Sequence, residues 1–229
     1  MGRVTPRRHR PSAQARREAL LAAAVEVTAA VGVAGVTHRA VTEKAGLPLT
    51  TVGYFFDSID ALTEEALRVY TDADADTQVA LAEALAEAHS TPDEIAAALS
   101  SAAAPRSPET PALFEAYLHA ARHPEFRDAA ARALDAARRA AAAGVRAAGS
   151  PEPDTAAPAF TALAHGLALH EMAVPGTLPP DSVHAAFRAL FLGFLLDNGH
   201  VELALRLRRQ GSVDGDRTEG DRRSAESDA

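Results

Sequence analysis

The spacing of apolar residues along the chain is helical almost throughout. Between Ala13 and Val31 they recur every three or four positions and form one stripe, which predicts an amphipathic helix. Similar stretches follow as far as Arg208, separated by Gly, Pro and capping residues, and no alternating strand pattern competes with them. The sequence therefore predicts an all-α fold of about nine helices.

The stretch Thr37–Phe56 predicts two short helices joined by a tight turn. Thr37 is suited to cap the first helix, and Gly46 can adopt the left-handed conformation that ends it. Pro48 stands at the start of the second helix, Leu49–Phe55, where a missing N–H costs little. Two short helices about a Gly-containing turn form the helix-turn-helix pattern, whose second helix enters the DNA major groove. With the preceding helix they predict a three-helix head around Leu20, Val27, Val41, Leu47, Val52 and Phe56.

The remaining helices predict a second, larger part of the chain. The capping signal Asp57-Ser58-Ile59-Asp60 opens a long helix that extends to about His89. Further helices are predicted for 91–105, 107–123, 124 to about 144–149, 159–174, 181–197 and 201–208, with a linker or helix start at 151–158. We divide the chain into a disordered basic arm (1–12), a DNA-binding domain (13–60), a ligand-binding and dimerisation domain (61–208) and a disordered tail (209–229).

The charge is distributed unevenly along the chain. The net charge is −8, yet residues 1–60 carry eight basic and five acidic side chains, against fifteen basic and twenty-six acidic in the remainder. A basic head on an acidic body suits a DNA contact at one end. The absence of cysteine excludes disulfides and thiolate chemistry. The N-terminus lacks a signal peptide, and the most apolar stretch, Ala185–Leu196, is too short to cross a bilayer. We therefore expect a soluble cytoplasmic protein with no membrane partner.

The order of signals over residues 13–65 resembles the tetracycline-repressor-like (TetR/AcrR) transcriptional regulators. In that family a first helix, a glycine and a helix-turn-helix precede an aromatic cluster and a capped fourth helix; here these are Ala13–Val31, Gly35, Thr37–Phe56, Tyr54-Phe55-Phe56 and Asp57–Leu62. Three positions depart from the family pattern. Thr42 stands where the family has a small alanine between the two short helices. Gly53 stands where the family has a tyrosine that often contacts a DNA phosphate, and Ile59 stands where it has a lysine that also contacts phosphate.

The candidate DNA contacts lie on the two short helices. Base readout requires exposed side chains on the N-terminal part of the second helix, namely Leu49, Thr50, Thr51 and Tyr54, with Gly53 allowing close approach. The resemblance adds His38 and Arg39, and an arginine can bond bidentately to guanine. Each of these residues also has a purely structural interpretation. Thr37 is first of all a helix cap, and Phe55 is mostly a core residue. Arg39 and Leu49 could simply be exposed to solvent. The full candidate set is Thr37, His38, Arg39, Pro48, Leu49, Thr50, Thr51, Gly53, Tyr54 and Phe55.

The last two long helices are the candidate dimer interface. Apolar residues cover more than one face of the helix at 181–197, so the core of one monomer would leave part of its apolar surface uncovered. A second copy of the chain could cover that surface; the alternative is that the helix lies at the centre of one monomer. The resemblance implies a homodimer formed by a four-helix bundle. The candidate interface residues are Phe187, Leu190, Phe191, Phe194 and Leu195.

The middle helices are expected to enclose a pocket for an unknown small-molecule effector. The candidate lining residues, each of which could equally be plain core, are Phe114, Tyr117, Leu118, Phe160, Leu163 and Leu167, with His119, His165 and His170 as polar contacts. His119 and His123 have the i, i+4 spacing that metals use. Because no third ligand can be named from the sequence, we predict neither a metal nor a cofactor.

We predict that the protein is a ligand-responsive regulator of transcription. It would act as a repressor that binds a palindromic site on double-stranded DNA and is released from it by a small molecule. One alternative is a dimeric partner-binding module whose head no longer binds DNA, suggested by Gly53 and Ile59. The other is an all-α enzyme using His119, His123 or His165 with Glu171. The chain has no convergent catalytic motif, so we predict that it is not an enzyme.

Overall fold

The computed structural model describes residues 12–87, 92–179 and 181–209, without the side chains of Pro92, Asp93 and Ala102. These residues are almost entirely helical and contain no strand, which confirms the all-α prediction. Apart from Ser12 and Arg209, the predicted arm and tail lie outside the described residues.

The described part of the chain forms ten α-helices, close to the predicted nine. Short 3-10 turns at Val33–Gly35, Leu49–Thr51 and Pro124–Phe126 precede α2, α3 and α7. The helices are α1 Ala13–Val31, α2 His38–Ala45, α3 Val52–Phe55, α4 Ile59–Glu87, α5 Pro92–Ala103, α6 Glu109–Arg122, α7 Arg127–Ala147, α8 Pro153–Ala173, α9 Ser182–Asp197 and α10 at 201–209.

Hydroxyl side chains begin three of the first four helices. Ser12, Thr37 and Ser58 each accept a hydrogen bond from a backbone N–H three residues later, at 3.1, 3.1 and 3.0 Å. Such a bond satisfies one of the N–H groups that a helix start leaves without a partner. The capping residues predicted from the sequence are therefore the residues that fix these helix starts.

Of the two alternatives predicted for 151–158, a linker or a helix start, the structure shows the helix start. Helix α8 begins at Pro153 and continues through Pro158. Pro153 stands in the first helical turn, where proline costs little. Pro158 is exposed, so water can bond the carbonyl group that its missing N–H leaves free.

The chain divides into two compact units. Unit 1 comprises Met1–Asp74 and Arg106–Ala133, and unit 2 comprises Ala75–Pro105 and Leu134–Ala229. Helices α4 and α7 each run through both units, so these boundaries do not coincide with the domain division 13–60 and 61–208. That division remains a prediction about function.

Each unit has its own core. In unit 1 the head packs around Leu20, Val41, Val52 and Phe56 together with Leu62 of α4, and a second cluster surrounds Phe126. In unit 2 small side chains dominate α7, whose alanines pack with apolar residues of α5, α8 and α9. None of the described helices is both long and apolar enough to cross a membrane.

Candidate functional site

The helix-turn-helix is built by the turn at Gly46. Gly46 has φ 64° and ψ 33°, the left-handed conformation that ends α2. The N–H of Leu47 then donates to the carbonyl of Thr42 at 2.9 Å, which closes the helix end. Pro48 leads into the 3-10 turn Leu49–Thr51 and α3, so residues 49–55 form one short helical segment, as predicted.

Thr42 is buried between the two short helices without an unsatisfied hydroxyl group. Its Oγ1 donates to the carbonyl of His38 one turn earlier, at 2.7 Å. A buried hydroxyl without a partner would be destabilising, and this bond avoids that cost. The departure from the family's small alanine is therefore accommodated within α2 itself.

The N-terminal part of the second helical segment carries an exposed face. Leu49 is 58% exposed and Tyr54 is 84% exposed, which is high for side chains of this size. Pro48, Thr50 and Gly53 are exposed beside them, as are Thr37, His38 and Arg39 at the start of α2. Eight of the ten candidate DNA-contact residues thus lie at the surface of the head.

The other two candidates point inward. Thr51 is only 6% exposed, and Phe55 is half-buried against the head core. Both are displaced from the exposed face because the short segment turns one side toward the core of the head. Thr51 is therefore buried in the head, and its role as a base contact stays a prediction.

The described part of the head has few unpaired cations. Lys44 forms an ion pair with Glu26 at 2.6 Å, and Arg17 forms one with Glu65 while lying over the Phe56 ring, 5.2 Å from its centroid. Arg39 is exposed and forms no ion pair with any described residue. Residues 12–60 hold four basic and five acidic side chains, so the positive charge predicted for the head resides in the four arginines before residue 12.

Ile59, which stands where the family has a lysine, belongs to the structural base of the head. It is half-buried against the head core at the first residue of α4. The helix start still presents backbone N–H groups, a favourable end for a phosphate. Ile59 cannot make the contact to a DNA phosphate that the lysine side chain would make, while the helix dipole can still attract a phosphate.

Two of the cavities in the described part of unit 2 are lined in part by predicted pocket residues. One, of about 20 Å³, is lined by Phe160, Phe187 and Phe191 with neighbouring aliphatic side chains, and holds little more than one water molecule. The other, of about 260 Å³, opens between α5, α8 and the segment before α9, and is lined chiefly by Leu167, Glu171, Leu178, Asp181 and Val183. The larger of these two cavities lies just below the range of about 300–1,000 Å³ that is typical of small-ligand sites.

The predicted pocket residues divide between the two units. Leu167 lines the larger cavity and Phe160 the smaller one, while Leu163 packs against the unit 2 core. His165 is half-buried, and burial lowers its pKa; His170 is exposed. The remaining candidates lie on α6 in unit 1: Phe114 and Tyr117 are half-buried, Leu118 is exposed and His119 is buried. The sequence analysis did not include Leu178, which lies in the irregular stretch after Pro175-Gly176, or Val183, which lies in the first turn of the predicted helix 181–197.

The predicted dimer residues also separate into two groups. Phe187, Phe191 and Leu195 recur every fourth residue of α9 and are buried in the core of their own unit. Their side chains therefore support the core of their own unit, and their part in a dimer interface stays a prediction. Leu190 and Phe194 are only partly buried. The exposed side of α9 carries Ala185, Ala189, Gly193 and Leu196, a row of mostly small residues.

Comparison with known proteins gives the same picture. Residues 86–195 match the family model for the tetracyclin repressor-like C-terminal domain. No curated protein sequence matches the chain.

Solved structures of regulators align with most of the chain. A transcriptional regulator from Rhodococcus sp. Rha1 has a TM-score of 0.62 and 25% identity, covering 79% of this chain and 96% of that one. A TetR family member from Streptomyces coelicolor A3 has a TM-score of 0.59 and 27% identity, covering 76% and 97%. The multidrug binding protein EbrR complexed with proflavin has a TM-score of 0.53 and 27% identity, covering 76% and 99%. The helix-turn-helix head, the matching C-terminal domain and these similarities together support a tetracycline-repressor-like (TetR/AcrR) transcriptional regulator.

Proposed function

We propose that the protein is a homodimeric, cytoplasmic repressor that binds a palindromic operator through its two heads and is released by a small organic effector. The observation that carries the DNA-binding part is the exposed face of the second helical segment. Leu49 and Tyr54 are 58% and 84% exposed, and Thr50 and Gly53 accompany them. A monomer gains little from exposing two large side chains on one short segment, whereas a groove edge with thymine methyl groups would cover them.

Arg39 supplies the charged contact of this face. It is exposed on the first turn of α2 and forms no ion pair with any described residue, so its guanidinium can bond two acceptors of a guanine. Such a pair discriminates against the wrong base by about 1–3 kcal/mol. Thr37 can add a phosphate contact beside its cap, and the arginines before residue 12 can add further charge.

The dimer would form through the exposed sides of α8 and α9. Ala185, Ala189 and Gly193 lie at intervals of four residues, and a Cβ added at Gly193 would meet no atom within 4 Å. On α8, Gly166 is equally open and Leu169 is 44% exposed. Rows of small residues let two helices approach closely, and Leu190 and Phe194 can pack at the margin of the contact. A two-fold pair would set the heads about 34–36 Å apart on successive turns of DNA.

The effector would bind in the larger cavity of unit 2. Leu167, Leu178 and Val183 offer an apolar wall, and Glu171 and Asp181 place two carboxylates beside it. The related EbrR was crystallised with proflavin, which supports a small organic molecule as the effector class. A ligand in this cavity would release DNA only if it binds the released conformation more tightly than the DNA-bound one.

A binding assay on the upstream DNA of the protein's own gene tests the proposal. We expect the full chain to retain one palindromic fragment at moderate salt, with affinity falling steeply as salt rises. Arg39→Ala should weaken specific binding about 5- to 150-fold, the equivalent of the bidentate contact. Arg206→Ala, an exposed arginine of α10, is the matched control and should bind as wild type.

Two results would contradict the proposal. If no fragment is retained and Arg39→Ala changes nothing, the chain does not regulate through this face. Intact dimers without salt-dependent DNA binding would instead favour the partner-binding module.

A further inference from the structure

Three metal-ligating side chains meet in unit 1, away from the DNA face. Glu64 lies on α4, His119 on α6, and His123 is the residue that ends α6. One potential ligand atom from each lies within 4.8 Å of the other two. The sequence supplied the two histidines at metal-binding spacing, and the fold supplies the third ligand.

His119 lacks the partner that a buried imidazole requires. It is 8% exposed, and its Nε2 atom is buried with no hydrogen-bond partner in the described structure. A buried polar group without a hydrogen-bond partner destabilises the folded protein. A bound cation would satisfy the free nitrogen.

His123 is held in the way that metal-binding histidines usually are. Its Nδ1 lies 3.3 Å from Oε1 of Glu125, and a carboxylate on one ring nitrogen fixes the tautomer that leaves the other nitrogen free for a metal. The rings of His119 and His123 stack with centroids 4.0 Å apart and planes 12° apart. Both imidazoles therefore belong to the same small volume.

Glu64 completes the set with an uncommitted carboxylate. It forms no hydrogen bond or ion pair with any described residue, although its charge acts on His119. Ligand atoms around a tetrahedral Zn²⁺ are about 3.3 Å apart, given bonds of about 2.0–2.1 Å. Glu64 and His123 are only half-buried, so their side chains have room to rotate, and the His123 ring must turn out of its stack on His119 for both ring nitrogens to face one ion.

We propose that Glu64, His119 and His123 bind one divalent transition-metal ion of the Zn²⁺ class, with the fourth position left to water. Two imidazoles and one carboxylate are a donor set that Zn²⁺ accepts, whereas Mg²⁺ and Ca²⁺ prefer oxygen ligands throughout. The ion would join α4 to α6 within unit 1. The site rests on its own geometry and does not require that the head bind DNA.

Competition for Zn²⁺ tests the site directly. The full-length protein is freed of metal with a chelator and titrated with ZnCl₂ against a chromophoric zinc indicator at neutral pH. We expect one tightly bound Zn²⁺ per chain. Glu125 would not bind the ion itself but would orient His123, and loss of such a residue usually weakens metal binding about 10–100-fold, which we expect for Glu125→Gln. Glu64→Gln and His123→Gln, which remove a proposed ligand, should weaken Zn²⁺ binding by more than this. His170→Gln, which removes an exposed histidine from α8, is the control and should bind as wild type.

Thermal unfolding provides a second readout that does not depend on the indicator. Zn²⁺ should raise the unfolding temperature of the wild type and of His170→Gln, because a ligand that binds the folded state stabilises it. Zn²⁺ should not raise the unfolding temperature of Glu64→Gln. This variant should still fold without metal, because position 64 is only half-buried. The proposal is overturned if the wild type binds no stoichiometric Zn²⁺, or if Glu64→Gln binds and is stabilised equally.

Discussion

The backbone N–H of Val33 donates a hydrogen bond to Oε2 of Glu115 over 3.3 Å. Val33 begins the 3-10 turn between α1 and α2, and Glu115 lies in the middle of α6. The turn leaves its first N–H groups without internal partners, and the carboxylate supplies one. Gly32 precedes it at φ 76°, and a Cβ there would approach Glu115 at 3.5 Å. Helix α6 thus supports the loop from which the helix-turn-helix begins.

Removing this carboxylate should destabilise the protein. We expect Glu115→Ala to lower the free energy of unfolding by about 1–2 kcal/mol, because a hydrogen bond to a charged acceptor contributes about 1.5–3 kcal/mol and this one is only partly buried. Urea denaturation measures the change. Glu115→Gln retains an acceptor oxygen and should lose less; an alanine variant as stable as wild type would show that the bond contributes nothing.

The local signals of the head were sufficient to predict its structure. Thr37, Gly46 and Pro48 each act on the backbone next to them, so their sequence positions fix the two short helices. Which side of a helix faces inward is a different matter. Periodicity could not show that Thr51 turns into the head, or that Phe187, Phe191 and Leu195 pack within their own unit.

Relationships between distant residues were beyond sequence reasoning for a similar reason. Glu64 looks like an ordinary surface acid of an amphipathic helix, and only the packing of α4 beside α6 brings it to His119 and His123. The choice between a linker and a helix start at 151–158 stayed open because Pro158 looks like a helix breaker, although an exposed proline can be tolerated near the beginning of a helix. Such features depend on tertiary contacts, which a single sequence does not contain.

Gly53→Ala separates the stability of the head from its DNA contact. A Cβ at this position of α3 would meet no atom within 4 Å, so alanine should stabilise the helix by about 0.5–1 kcal/mol. If the backbone of Gly53 lies against DNA, as proposed, the same methyl group should lower operator affinity. Thermal unfolding and fluorescence anisotropy with operator DNA measure the two effects.

The matched control for Gly53→Ala is the reverse change at an exposed helical position of unit 1. Ala131→Gly should destabilise the protein and leave operator affinity unchanged. A Gly53→Ala protein that is more stable and binds DNA as well as wild type would remove Gly53 from the interface.

Gly193→Glu should dissociate the proposed dimer without unfolding the chain. The position is exposed on α9 with open space around it, so the monomer accommodates a side chain there. In a close two-fold contact the same side chains would clash and bury uncompensated charge. Light scattering after size-exclusion chromatography should change from a dimer to a monomer. Ala131→Glu, an exposed substitution on α7, should remain dimeric; a dimeric Gly193→Glu would place the interface elsewhere.

His165 should make the stability of the protein sensitive to mild acid. Burial lowers its pKa, so below the unfolded-state pKa of about 6.5 the unfolded chain binds a proton that the folded chain resists. Above that pH the folded protein therefore has its full stability, and the stability falls as the pH decreases toward the folded-state pKa.

We expect His165→Gln to lose less free energy of unfolding than wild type between pH 7.5 and 5.5. Urea denaturation measures this, at one protein concentration because the stability of a dimer depends on concentration. His170→Gln is the matched control for removing an imidazole from α8. Since His119 is unchanged in both proteins, its own lowered pKa cancels in the comparison. An equal or larger loss in His165→Gln would show that burial of this imidazole does not govern the acid sensitivity.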